Sequence, residues 1–353
     1  MKHLILSALP TVRLIEEIQK RGDDYELINP ADLYAFISST TSGHDRIYKR
    51  GEEKSERIKS KSFDAVIPRI SGAGFEHGCT IVKQLSENIG IFSTGYERGL
   101  KICSNKMLTA QVLSKAKIRN PKQILAHQPT DYKELIDLVG GLPCVAKLQR
   151  GSMGIGVMLL ETELAASTSL RSFQTLGADV ILQQYIESGN PKNDIRVIVI
   201  GPETKNVKIF AYKRYALDTD FRSNYSLSGL GEKVELTKEE KNMAVDAALA
   251  VGLGVSGVDI MRDALNDDKP YVIEVNGNPG LKGVETVTGE NVAGAIIDYV
   301  KDNHRKSTKF NNNSIKSISL NSEEISKLSK EEYDNLDNRQ KYIYEAEQVE
   351  DLL

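Results

Sequence analysis

The chain has 353 residues, 40% hydrophobic and 27% charged, with a formal net charge of −3. That length exceeds one small core and points to two or three domains, and the near balance of charge excludes a global basic field for nucleic acid. Three cysteines (Cys79, Cys103 and Cys144) without a CxxC pair, and five histidines without HExxH spacing, argue against a disulfide framework and a zinc site.

A reducing cytoplasm fits this cysteine usage. No apolar run approaches the roughly 18 residues that a membrane span needs. The basic-then-apolar start, Met1 to Ser7, reads as a first strand rather than a signal peptide.

In chain order, residues 3–6 predict a strand, 12–21 a helix closed by Gly22, and 25–28 and 63–67 two further strands, the last ended by Pro68. Residues 38–62 are polar and charged and read as a surface hairpin or loop. A helix is predicted from Ser104 as its N-cap, with Leu108, Val112 and Ala116 recurring every fourth residue, until Asn120-Pro121 stops it. Strands follow at 145–148, 156–160, 180–183, 195–200 and 207–212, rich in Val and Ile.

Thr237-Lys-Glu-Glu240 is a capping box, and the helix behind it puts Met243, Ala244, Ala247, Ala248 and Val251 on one face. Strands at 255–261 and 271–275 flank a turn-rich Asn266-Asp-Asp-Lys-Pro270. A last helix carries Val292, Ala293, Ile296, Ile297 and Val300. Residues 307–322, rich in Ser, Asn and Lys, read as a linker. Residues 323–353 keep Tyr342, Ala346, Val349 and Leu353 at helical spacing, which suits a helix on the body, a partly disordered tail or a partner-docking element.

The chemistry-bearing residues cluster in a few places. Gly151-Ser152-Met153-Gly154-Ile155-Gly156 lies between two predicted strands, so it is no Walker A loop. It is either a hairpin turn or a loop whose backbone N–H groups close over phosphates. Gly252-Leu-Gly254-Val-Ser-Gly257 matches GxGxxG, but it follows a helix and enters a strand, the reverse of a dinucleotide fingerprint. Glu274 and Asn276, two apart on a strand, share a face, and Asp259 lies on the preceding strand. Two carboxylates and an amide suit Mg²⁺, though a solvated polar sheet face would have the same residues. Lys147, inside the apolar Cys144-Val-Ala-Lys-Leu148, is costly to bury unless an anion meets it. Lys106 and Arg222-Ser223-Asn224, read alone, are surface residues.

In register, these pieces resemble the ATP-grasp superfamily and, within it, the RimK-type ligases. The resemblance rests on Phe63-Asp-Ala-Val-Ile-Pro-Arg-Ile70, Asn105-Lys106, Val145-Ala-Lys-Leu148, Gly151 to Val157, Gln183-Gln-Tyr-Ile186 and Asn193-Asp-Ile-Arg196. It continues through Asp220-Phe-Arg-Ser-Asn224, Gly257-Val-Asp-Ile260, Glu274-Val-Asn276 and Asn278-Pro-Gly280. It implies an α/β (α+β) ATP-grasp fold: an N-terminal α/β domain (1–97), a central subdomain with a glycine lid (98–180), a C-terminal subdomain with a metal site (181–303), and a linker and tail (304–353).

The resemblance also implies roles. Lys106 and Lys147 contact ATP phosphates under a lid of Gly151, Ser152, Met153, Gly154 and Gly156. Gln184 and Tyr185 sit at the adenine and Asp194 at the ribose. Arg222, Ser223 and Asn224 line the phosphoryl-transfer end of the ATP site, with Arg222 and Asn224 as catalytic groups and Arg214 as a clamp on an acyl phosphate. Asp259, Glu274 and Asn276 bind two Mg²⁺ (or Mn²⁺).

The implied activity is ADP-forming ligation, in which ATP phosphorylates an acceptor carboxylate and an amine attacks it. The expected partners are glutamate or another amino acid and the C-terminus of a protein or peptide, of the ribosomal-protein type. No direct nucleic-acid or membrane partner is expected, and relatives of this type are often tetramers.

The sequence departs from the pattern at Gln184, where RimK-type enzymes usually have glutamate. It departs again at Tyr225-Ser-Leu-Ser-Gly-Leu-Gly231, where His-Arg-Gly-Gly is usual. These departures keep other acceptors open, namely a small metabolite, a coenzyme or another peptide. An ATP-binding regulatory module without turnover is the alternative of another class.

Overall fold

Strand β1 (Lys2–Leu6) is buried along almost its whole length, because helices cover both faces of the parallel sheet it centres. Its neighbours are β2 (Asp24–Ile28) on one side and β6 (Ala65–Pro68) on the other, with β7 (Phe92–Ser93) beyond. The computed structural model describes residues 1–37, 46–59, 61–127, 131–149, 156–217 and 230–317, with 306–317 as backbone alone.

Helix α1 (Val12–Lys20) ends at Gly22, whose φ of 68° is left-handed, as the expected cap requires. Within the polar segment read as a hairpin or loop lie β4 (Arg46–Lys49) and β5 (Glu56–Ile58), which join the preceding β3 (Leu33–Phe36) in a three-stranded antiparallel sheet. It packs on α2 (Phe75–Lys83).

The helix expected to start at Ser104 is two helices. Ser104 ends α3 (Glu97–Ser104), and Asn105 caps α4 (Lys106–Lys115), accepting from the amides of Met107 and Leu108 at 3.0 and 3.1 Å. The buried face of α4 is Thr109, Ala110 and Leu113, while Leu108 is 44% exposed, so the apolar recurrence marked the wrong face. Polar Thr109 turns inward by donating its hydroxyl to the Ile102 and Asn105 carbonyls.

The central subdomain is an antiparallel sheet in the order β10-β9-β11-β8: β8 (Gln123–Leu125), β9 (Cys144–Leu148), β10 (Val157–Leu160) and β11 (Val180–Gln184). Gly156, expected to begin β10, is a turn at φ 75°. Helices α5 (Tyr132–Leu138) and α6 (Glu163–Thr175) close a separate core of Ile136, Ala146, Leu160, Ala166, Leu170 and Leu182.

The C-terminal sheet is antiparallel, in the order β14-β13-β12-β15-β16: β12 (Asn193–Ile200), β13 (Lys208–Tyr215), β14 (Gly231–Lys233), β15 (Val255–Asp263) and β16 (Lys269–Asn276). The capping box at Thr237 and Glu240 starts α7 (Lys238–Val251), whose Ala244, Ala247, Ala248 and Val251 face Ile195, Val197, Val258 and Val275. Gly252 (φ 73°) closes α7, and Gly254 approaches Tyr299 so closely that an added Cβ would lie 2.3 Å from its hydroxyl, so these two glycines of the GxGxxG match serve a cap and a contact.

Helix α8 (Lys282–Thr288) precedes α9 (Val292–Ser317). Val292, Ala293, Ile296, Ile297 and Val300 of α9 cover Ile5, Ile67, Leu14 and Ile18, so the last helix completes the core of the first domain. It also runs into the segment read as a linker from 307, and residues 318–353 lie outside the described residues. Among the described residues no helix is long and apolar enough to cross a membrane.

Candidate active site

Strand alternation sorts the C-terminal sheet into an apolar face on α7 and a polar face towards the central subdomain. The register sets Asp194 opposite Arg214, Arg196 opposite Asp259, Asp259 opposite Glu274, and Gly257 opposite Asn276. Directly opposed residues share a face, so the six polar side chains form one layer. A register shift between Asp259 and Ile260 follows this group.

The layer is tightly paired. Arg214 donates from Nε to Asp194 Oδ1 at 2.6 Å and from Nη2 to Asp194 Oδ2 at 2.5 Å, and its Nη2 lies 3.0 Å from Asp259 Oδ2. Arg196 donates to Asp259 Oδ1 through Nε and to Oδ2 through Nη2 at 2.8 Å. Burial pushes the Asp259 carboxyl up, but Arg196 and Arg214 outweigh it and hold Asp259 below the usual carboxylate range. Burial wins at Asp194, whose carboxyl is raised despite Arg214. Glu274 is only half-buried and accepts from Asn276 Nδ2 at 3.1 Å.

Lys147 comes from β9, is 8% exposed, and donates to Gln183 Oε1 at 2.8 Å. Burial lowers its ammonium to about 8, with Glu274 and Asp259 pulling it back up and Lys106 pushing it further down. Lys106 opens α4, where its amide donates to Gln149 O at 3.0 Å. The four charged groups therefore act on one cleft between the central and C-terminal sheets.

The structure brings together Lys106, Lys147, Asp194, Arg214, Asp259, Glu274 and Asn276 of the residues expected from the sequence. Asp194, expected at a ribose, gives both oxygens to Arg214, and Arg214, expected to clamp an acyl phosphate, is buried between two carboxylates. Gln184 turns its Oε1 to the Lys122 amide at 3.2 Å, and Tyr185 stacks under Lys192, whose Nζ is 5.5 Å from the ring centre. Gly151, Ser152, Met153, Gly154, Arg222, Ser223 and Asn224 lie outside the described residues.

Two partners were missed from the sequence. Gln183 anchors Lys147, and Arg196 neutralises Asp259. The signal for Arg196 was its place two residues after Asp194, on the same face of the strand. A separate cavity of about 60 Å³ lies elsewhere, between β8, α5 and α6 of the central subdomain.

A hard divalent cation suits this donor set. Glu274 and the Oδ1 of Asn276 are oxygen ligands on one face, and Asp259, which already accepts three donor contacts, keeps one of its roughly four lone-pair sites.

Two antiparallel sheets holding charged groups across a cleft, behind a parallel-sheet domain, define an ATP-grasp fold. The chain belongs to the RimK-like ATP-grasp family: the RimK-like ATP-grasp domain matches residues 103–300, and the RimK PreATP-grasp domain matches residues 1–99. It is an ATP-dependent ligase. A "Probable alpha-L-glutamate ligase 2" of Shewanella sp. (strain MR-4) is 38% identical over 313 residues, spanning 88% of this chain and 99% of that protein. Among solved structures, the ATP-grasp ligase PsnB, complexed with a minimal precursor variant, Mg and ADP, is similar with a TM-score of 0.63 at 18% identity, over 85% of this chain and 97% of that one. The D-alanine-D-alanine ligase from Coxiella burnetii is similar with a TM-score of 0.59 at 17% identity, over 88% and 97%. At these identities the structures speak for the fold.

Proposed function

We propose that this chain adds glutamate to the C-terminus of a protein, activating the acceptor carboxylate with ATP and Mg²⁺. The observation that carries the reading is the buried Lys147, anchored by Gln183 and close to Lys106, Asp259 and Glu274. Cations for phosphate on one wall and oxygen ligands on the other suit phosphoryl transfer, which depends on positioning and charge rather than on a protein nucleophile. The alpha-L-glutamate ligase name of the Shewanella relative supports glutamate as the added amino acid.

In this reading Lys147, held by Gln183, and Lys106 bind the nucleotide phosphates. Glu274, Asn276 and the remaining lone pair of Asp259 hold Mg²⁺, or Mn²⁺, which when bound screens the charge of the transferring phosphoryl group. Arg196 and Arg214 fix Asp259 in place from beneath. Arg222 and Asn224, on the segment that follows β13, keep their proposed place at the transferred phosphoryl group, and the 151–156 loop its place over the phosphates. The acceptor carboxylate takes the γ-phosphoryl group and ADP leaves. The amino group of glutamate then attacks the acyl carbon, phosphate departs, and the nitrogen loses a proton as the amide forms.

The test is ADP release with ATP, Mg²⁺ and each amino acid, using a glutamate-ended ribosomal-protein tail peptide as acceptor, followed by the peptide's mass. Stepwise gain of glutamate is expected. ADP release with an unchanged peptide would exclude this acceptor, and no turnover with any amino acid would exclude the ligation reading.

A further inference from the structure

The N-terminal sheet has the order β2-β1-β6-β7, so the chain leaves β1 towards one side and returns in β6 on the other. In open parallel sheets such a reversal opens a crevice at the carboxyl ends of the strands, where ligands bind. Here the crevice lies between the ends of β1 and β6. Arg69 follows β6 directly, with its amide bonded to Leu6 O at 2.8 Å.

Five buried side-chain polar atoms lack a hydrogen-bond partner among the described residues, and three come from segments that follow the carboxyl ends of strands: Thr11 Oγ1 after β1, Arg69 Nε after β6 and Asn278 Oδ1 after β16. Thr11 stands before α1 and gives that helix no side-chain cap. Asn278 lies two residues after Asn276, and its Nδ2 reaches the carbonyl of Ile70, next to Arg69, at 3.4 Å. Arg69 also lines a small cavity of about 10 Å³, with Leu14, Thr94, Gly95 and Gly277. The crevice of the first domain therefore adjoins the loop that leaves the Glu274–Asn276 strand.

Arg69 has no carboxylate partner among the described residues, in contrast to Arg196, Arg214 and Arg262, which are all paired. Burial accordingly pushes its guanidinium down to about 10. Arg69 is half-buried with its Nε shut off from water and unpartnered, and its planar guanidinium fork matches a carboxylate bidentately. The orphaned amide oxygen of Asn278, whose side chain reaches Ile70 next to Arg69, accepts hydrogen bonds, as does the Thr11 hydroxyl on the segment between β1 and α1, which suits an ammonium group on the same ligand.

We propose that Arg69 binds a carboxylate of the incoming amino acid, one that does not react, with Asn278 and Thr11 available to its amino group. This rests on the ligase reading above and assigns the amino-acid subsite to the β1–β6 crevice. The acceptor's carboxylate is phosphorylated and its charge is met in the metal cleft. The incoming amino acid keeps its own carboxylates throughout, so it needs a fixed cation outside that cleft.

The test is calorimetric binding of free L-glutamate to the whole protein, the wild type against Arg69→Gln and Arg69→Lys, with MgADP binding measured alongside. A roughly 100-fold loss of glutamate affinity is expected in Arg69→Gln, and a partial loss in Arg69→Lys, which keeps the charge but not the fork. MgADP affinity should stay unchanged, and melting should stay close to the wild type, since Arg69 has no carboxylate partner among the described residues to lose. Isoglutamine, the α-amide of glutamate, and glutamine, its γ-amide, report which carboxylate is read: one of them should bind the wild type weakly and Arg69→Gln no worse. Glutamate binding unchanged in Arg69→Gln, or no glutamate binding by the wild type, would overturn the subsite. Amide formation by the wild type in the mass assay stands or falls separately, so the two failures are distinguishable.

Discussion

Asp259 and Glu274 lie opposite each other on β15 and β16, yet only Asp259 is locked between two guanidiniums. Removing its charge leaves Arg196 buried without its counter-ion and Arg214 with Asp194 alone. Breaking such a buried group costs about 3–5 kcal/mol. Glu274, half-buried and touched by the Asn276 amide, has no such debt to the fold. Asp259→Asn should therefore lower the unfolding free energy by several kcal/mol, on the order of that range, whereas Glu274→Gln should melt close to the wild type and lose ADP release. Chemical denaturation and turnover, measured on both variants, check this. A fully active Glu274→Gln would remove that residue from the metal site. At this scale the sequence exposed the functional residue types but not their pairing: the amino acids at 194, 196, 214 and 259 are legible, while the way they spend their charge depends on strand register.

At the scale of elements, the capping box of α7 links a local signal to a long-range one. Thr237 Oγ1 accepts from the Glu240 amide at 3.2 Å, Glu240 accepts from the Thr237 amide at 2.8 Å, and the same carboxylate receives Arg262 from β15 at 2.6 and 2.9 Å. Thr237→Ala removes one cap bond and should cost about 1 kcal/mol. Glu240→Ala also strips Arg262 of its partner and should cost clearly more in the same denaturation experiment. The box was legible because its residues are adjacent in the chain. The longer strands were legible because Val and Ile runs mark buried sheets, whereas the short β3, β7, β8 and β14 were not singled out. Helix α4 was misread because its buried face holds Thr109, whose hydroxyl is satisfied by carbonyls that no periodicity reveals. Helices α2, α3, α5, α6 and α8 were not singled out at all. All of these but α6 are short, and the paired carboxylate of Glu17 in α1 shows how polar residues enter cores here when arginine and lysine meet them.

Across the whole molecule, the cores do not follow the expected domain limits. One cluster joins both faces of the boundary at residue 97, from Leu4 and Val66 to Ala244 and Val275, and another joins Ile5 and Ile67 to Ile296 and Val300. The central subdomain alone keeps a core to itself. Local opening follows such divisions. Amide exchange should show β8–β11 with α5 and α6 opening as a unit at lower free energy than the rest, while β1, β6, β12 and β15 exchange together through global unfolding. Independent exchange of β1 and β12 would contradict a shared core.

The dependence of the first sheet on α9 also has a bearing on how the protein is made. Ile5, Leu14, Ile18 and Ile67 leave the ribosome early, but the side chains that shelter them, Val292 to Val300, are translated far later. At about 5–20 residues per second, that interval lasts roughly ten to fifty seconds. During it the nascent chain carries an uncovered apolar sheet face, which only the arrival of α9 removes from water.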